Sequence, residues 1–194
     1  MLPVGSDFGS AETRFVFDES CFQQDFFQLF NLPARFQLDT TLLERGYRTL
    51  QAQVHPDKFA HLPETGRRVS MQWATRVNEA YQTLRKPLDR ARYLLALRGV
   101  ETQEETNTAM PLDFLMRQME WREAIEEARQ AKDSSVLDEL QGKLQHDARA
   151  LQQQLAQLID SEHDYLAAAG IVRKLKFFEK LGEEIGSAFD EIDN

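Results

Sequence analysis

His55-Pro56-Asp57 is the tightest group of chemically capable residues in the chain. Proline fixes one backbone dihedral and lowers the entropy cost of holding a loop ready for a partner. An ionised aspartate pairs bidentately with an arginine, and an imidazole donates or accepts a hydrogen bond. Such chemistry suits recognition of a partner: Asp57 can supply an ionic contact, His55 can orient it, and Pro56 stiffens the segment. Lys58 follows directly, and Arg45, Arg48 and Arg67 lie close in sequence. Their positive field can steer the segment onto an acidic surface, although a solvated helix face has the same composition. Taken alone, the tripeptide also fits a helix stop followed by an Asx turn.

Other chemistries find little support. The histidines His55, His61, His146 and His163 show no metal-ligand spacing with cysteine or with one another. No glycine-rich phosphate loop and no nucleophile elbow occurs. Cys21 is the only cysteine, so neither an intramolecular disulfide nor a cysteine-based zinc or cluster site is available within one chain. Carboxylates are plentiful but fall on helical faces that water solvates. No cofactor is called for.

The chain has 194 residues, 42% apolar and 28% charged, which suits one large globular domain or two small ones. No apolar run approaches the roughly 18 to 20 residues of a membrane helix. The first twenty residues resemble neither a secretory signal nor a transit peptide, so a cytoplasmic protein is expected. The net charge of −9 is unevenly spread: −3 over residues 1–20, +5 over 21–98 and −11 over 99–194. Such asymmetry suggests modules with different partners. The basic part lacks a Lys/Arg stripe with interleaved aromatics, so nucleic acid is not indicated.

The elements that must position the tripeptide are helical throughout. Ser20 with Gln23 resembles a capping box ahead of Phe22, Phe26, Phe27, Leu29 and Phe30, and Pro33 keeps that first helix short. Asp39 is a good N-cap for a second helix carrying Leu43, Tyr47, Leu50 and Val54. Pro56 disfavours helical geometry at His55, so this helix should stop at Val54. A third helix bears Val69, Trp73, Val77, Ala80 and Leu84 until Lys86-Pro87 breaks it, and a fourth runs from Leu88 to Arg98 before Gly99. Residues 99–110 read as a linker. Beyond Pro111, one helix reaches about Lys132. A second, capped by Asp133 or Ser134, carries leucines from Leu137 to Leu158, and a last follows Ser161. Three such stripes can be buried against one another as an antiparallel three-helix bundle.

The helix after Pro111 has two apolar faces. At about 100° per residue, Phe114, Trp121, Ile125 and Ala128 share one. Leu112, Leu115, Met116 and Met119 lie roughly opposite, beside Glu120 and Glu123. On the last helix, Phe177 and Leu181 likewise point away from Leu175 and Phe178 by this reckoning. A bundle needs one face; the second is exposed, covered by the other module or reserved for a partner. Methionine and leucine rimmed by charge make an adaptable protein-binding patch.

Together these features resemble a known family. Asp25-Phe-Phe-Gln-Leu-Phe-Asn-Leu-Pro33, Tyr47 through Phe59 and Asn78-Glu-Ala-Tyr-Gln-Thr-Leu84 are similar to DnaJ-type domains. Adding Pro87-Leu-Asp-Arg-Ala-Arg-Tyr-Leu-Leu95, Phe114-Leu-Met-Arg-Gln-Met-Glu-Trp-Arg-Glu123 and Val172-Arg-Lys-Leu-Lys-Phe-Phe-Glu-Lys-Leu181, the chain resembles the HscB family, J proteins of bacterial iron–sulfur cluster assembly. The resemblance covers about residues 24–182. It implies an all-α protein of bent, two-module shape: an arm at 1–20, a J domain at 21–98, a linker at 99–110 and a three-helix bundle at 111–194. It further implies a protein that is no enzyme itself, but delivers the cluster scaffold IscU to a DnaK-like ATPase, HscA, whose ATP hydrolysis the His-Pro-Asp loop triggers. Leu115, Met116, Met119, Glu120, Glu123 and Phe177 match the family's scaffold-binding surface. The helix before the loop departs from many J domains in having few basic residues and in being interrupted by Gly46, which bears on chaperone choice. The rivals are a J protein with another client, a helical adaptor in which His-Pro-Asp is only a turn, and a hydrolase using His55 and Asp57.

Overall fold

The computed structural model describes residues 23–59, 63–104 and 111–193, with the side chains of Pro56, Asp57 and Asp193 not described. Several expected features lie outside these residues: the arm at 1–20, the Ser20 cap, Cys21, Phe22, His61 and the later part of the linker. The described residues form helices, without a strand among them. They divide into two compact units between Arg90 and Ala91.

In the first unit, α1 (Phe26–Leu29) is a single turn. Its capping box is Asp25 with Gln28: the Gln28 N–H donates to the Asp25 carboxylate at 2.8 Å, and the Asp25 N–H donates to Gln28 Oε1 at 3.1 Å. Helix α2 (Thr40–Val54) starts at Asp39, whose carboxylate accepts from the N–H groups of Thr41 and Leu42. Gly46 does not interrupt it. A Cβ there would lie 3.3 Å from a Phe30 ring carbon, so the glycine lets the aromatic turn close onto α2. Helix α3 (Glu64–Arg85) buries Ser70, Trp73, Val77, Ala80, Tyr81 and Leu84. Both α1 and α2 pack on it. Phe27, Leu43 and Leu84 are fully buried between them, and Tyr47 stacks on Tyr81 with ring centroids 4.0 Å apart. Burial of each such side chain stabilises the unit by about 1.5–3 kcal/mol.

Lys86, extended ahead of Pro87, ends α3, and α4 (Pro87–Leu97) follows, with Gly99 taking the left-handed conformation (φ 73°) just beyond it. The buried Arg90 ties the first turn of α4 to the end of α3 and to the loop after α1. Its Nε donates to the Phe36 carbonyl at 2.8 Å, its Nη1 donates to the Leu84 carbonyl at the end of α3, and its guanidinium lies 5.1 Å from the centre of the Phe36 ring. Arg90→Lys, which keeps the charge but loses the planar fork, is expected to destabilise the chain by about 2–4 kcal/mol. Urea unfolding of the two proteins checks this.

The second unit holds α5 (Leu112–Ala131), α6 (Ser134–Ala156) and α7 (Tyr165–Asp193). A two-residue turn joins α5 to α6: Lys132 is left-handed, and Asp133 caps α6 by accepting from the N–H groups of Ser135 and Val136. After Ala156 the backbone passes into a π-helical segment, Gln157–Glu162. Its wider turn shifts the register, so that Ile159 is buried where the leucine spacing pointed to Leu158. Helix α7 packs against both α5 and α6. The core joins Phe114, Trp121, Ile125 and Ala128 to Leu137 and Leu144 and to Phe177, Phe178, Leu181, Ile185 and Ala188.

The segment after α4 is tied to this unit by charge. Arg92 Nε donates to Glu104 at 2.8 Å, the Thr102 hydroxyl donates to Glu104 at 2.7 Å, and Arg173 donates to the Thr102 carbonyl at 3.0 Å. Burial works to raise the Glu104 pKa, but the bonds from Arg92 and Thr102 and the Arg92 charge outweigh it and hold the carboxyl below its ordinary range. A depressed carboxylate contributes stability above its unfolded pKa and loses it as pH falls through the folded value. Glu104→Gln is therefore expected to be less stable than wild type by about 1–2 kcal/mol at neutral pH, with the two converging in acid. Urea melts across the acid range measure that convergence.

Candidate functional site

The sequence places its two candidate sites in different units, and each is built by local physics. In the first, α2 runs to Val54, and His55 leaves it at φ −59°, ψ 126°, the extended geometry that a following proline demands. Pro56–Phe59 then forms one 3₁₀ turn, in which the Lys58 N–H donates to the His55 carbonyl at 3.0 Å. Phe59 is buried and the turn packs on α3, while His55 and Lys58 are exposed. Val54 is buried, and the Ser70 hydroxyl on α3 donates to its carbonyl at 3.0 Å. The loop thus starts and ends in the core, with its polar residues between two anchors.

Arg45 and Arg48 lie on α2 away from the inward stripe of buried Leu43 and Val54 and half-buried Tyr47, and both are exposed. Arg48 approaches Glu44 at 3.8 Å across open surface, a contact worth little in water and easily exchanged for one with a partner. A Tyr47 network stiffens the inner side: its hydroxyl donates to Asn78 Oδ1 at 2.9 Å and accepts from Gln51 at 3.0 Å. That arrangement joins Tyr47 and Asn78 from two of the resembling stretches.

In the second unit the two faces of α5 separate as their spacing predicts. Phe114, Trp121, Ile125 and Ala128 are in the core. Leu112 is 72% exposed, Leu115 38%, Met116 56% and Met119 72%. Glu120 and Glu123 are exposed on the same helix. The expectation for α7 needs correction. Phe177 is 8% exposed and Leu181 0%, and both belong to the core. Phe177 meets Phe114 edge-on with centroids 5.6 Å apart, and the Arg122 guanidinium lies 5.4 Å from its ring centre. The cause is that α7 touches two helices at once, so its buried stripe is wider than one face. Sequence reading also missed Ser70 and Arg90. A hydroxyl inside an apolar stripe and an arginine following a proline break were the available signals.

A helical hairpin on an aromatic turn, with His-Pro-Asp at its connection and a separate three-helix unit after it, defines a J-domain protein carrying a C-terminal bundle. A family profile described as the HSCB C-terminal oligomerisation domain matches residues 110–186. The chain is 56% identical to a co-chaperone protein HscB homolog of Aromatoleum aromaticum, covering 88% of this chain and 97% of that relative. It is also similar to the solved chaperone HscB from Vibrio cholerae, with 41% identity, TM-score 0.76, and coverage of 87% of this chain and 99% of that one. The human co-chaperone HscB is similar over 95% of this chain and 93% of its own, with 29% identity and TM-score 0.82. The chain belongs to the HscB co-chaperone family.

Proposed function

We propose that this protein stimulates the ATPase of an HscA-type, DnaK-like chaperone through His55-Pro56-Asp57 and delivers an IscU-type iron–sulfur scaffold bound on α5. The observation that carries the reading is the loop itself: exposed His55 and Lys58 stand between buried Val54 and Phe59, in a chain of the HscB family. Asp57 makes the ionic contact, through paired hydrogen bonds to an arginine of the ATPase, and His55 orients it. Arg45, Arg48 and Lys58 steer the module towards an acidic surface and fix its register. On this reading residues 21–98 face the chaperone and residues 111–194 face the client, in the cytoplasm where both partners work. No helix among the described residues is long and apolar enough to cross a membrane.

The client surface consists of Leu115, Met116 and Met119, with Glu120 and Glu123 at its rim. Unbranched methionines adapt to an irregular partner, and the carboxylates select basic groups beside it. Phe177 contributes from beneath, by holding Phe114 and Arg122 in place, rather than as an exposed contact. The chain acts by binding alone, with no cofactor of its own.

Calorimetric titration of an IscU-type scaffold into this protein tests the client half. Saturable binding of one scaffold, weakened by Glu120→Lys together with Glu123→Lys, is expected. Charge reversal at two rim positions should cost about tenfold or more in affinity. Binding indifferent to both reversals would move the client surface elsewhere.

A further inference from the structure

Ser70 departs from the logic of the helix that carries it. It has no solvent exposure and lies in the stripe with Trp73, Val77 and Leu84, at the position nearest the loop. Helical serines and threonines usually return their hydroxyl to a carbonyl one turn back in the same helix. Thr49 and Thr75 do so, donating to Arg45 and Met71. Ser70 instead crosses to α2 and donates to the Val54 carbonyl. That carbonyl belongs to the last turn of α2, and the Lys58 N–H that helix continuation would bring to it donates to His55 instead. The crosslink therefore meets a buried acceptor and fixes the backbone one residue before His55. Phe59, buried at the other end of the 3₁₀ turn, fixes the exit.

We propose that Ser70 is a positioning residue for the His55-Pro56-Asp57 loop. Its hydroxyl holds the end of α2 so that the loop is populated in its docking geometry before the ATPase arrives. The inference rests on the proposed chaperone contact. If the loop is ordered in advance, losing the bond lowers the competent fraction. The apparent affinity then falls by that fraction, while the rate at saturation is kept.

The test compares Ser70→Ala with Ala80→Gly, a change in α3 nearly three turns beyond Ser70 that loosens the same unit without touching the loop. Single-turnover hydrolysis by an HscA-type ATPase is titrated with each protein, and exchange of the Lys58 amide, which donates to His55, is followed alongside. Ser70→Ala is expected to raise the half-saturating concentration about tenfold with an unchanged plateau, and to speed Lys58 exchange. Ala80→Gly is expected to lower the melting temperature and leave both readouts as in wild type. Equal half-saturation for Ser70→Ala and wild type overturns the proposal, as does an equal rise in both variants. If wild type gives no stimulation, the chaperone reading fails. The Lys58 amide then still decides whether Ser70 orders the loop, and unchanged exchange overturns that too.

Discussion

His55→Gln should abolish stimulation of an HscA-type ATPase while leaving the helices and their melting transition where they are. His55 is exposed and lies outside both α2 and the core, so its replacement should change stability by no more than about 0.5 kcal/mol. Function is a different matter. Glutamine keeps a hydrogen-bonding group but not the imidazole's shape or its ability to be a cation, and the geometry at Asp57 is then no longer imposed. Asp57→Asn tests the ionic half of the same contact. Removing one member of a desolvated charge pair commonly costs about 2–5 kcal/mol, so stimulation at a fixed concentration should fall by at least about thirtyfold. The two variants should fail alike if the residues act as a unit, and their double variant should be no worse than either alone. Pre-steady-state ATP hydrolysis with circular dichroism on the same samples checks both statements. Full stimulation by Asp57→Asn would remove the ionic contact from the account.

The triple change Leu115→Ala, Met116→Ala and Met119→Ala should leave the bundle folded and remove scaffold binding. None of the three belongs to the core of the second unit, and alanine is the best helix former. Exposed methionine and leucine that become buried against a partner contribute at about 25 cal/mol per Å², and their joint loss should exceed about 2 kcal/mol, or thirtyfold in affinity. Calorimetry against an IscU-type scaffold gives the number. Phe177→Ala is the instructive contrast. With 8% exposure inside the core, its truncation should destabilise the bundle by about 3–5 kcal/mol, and weakened binding would then follow from unfolding. The signature is a lowered melting temperature, which the triple variant should not show.

Most of the helical framework was legible in the residues because its signals are local. Asp39 and Asp133 cap where their side chains suggest, and prolines at 56 and 87 stop the helices before them. The loop was legible for the same reason, since a proline after His55 leaves the backbone little choice. What escaped reading depends on partners distant in sequence. The periodicity of α7 is that of any amphipathic helix, and nothing within it announces that two neighbours will bury Phe177 and Leu181 together. Gly46 looked like an interruption because the Phe30 ring it accommodates comes from another element. Ser70 stands inside an apolar stripe and Arg90 after a proline break, but the buried carbonyls they reach belong to other elements, which no local pattern announces.

The most direct test of the account is single-turnover ATP hydrolysis by an HscA-type chaperone, measured with and without this protein and an IscU-type scaffold. The predicted result is stimulation by the wild-type chain that His55→Gln eliminates, with the scaffold adding to the rate only when the chain is present. Failure of the wild-type chain to accelerate hydrolysis, with or without the scaffold, would contradict it and leave His55-Pro56-Asp57 as a turn between two helices.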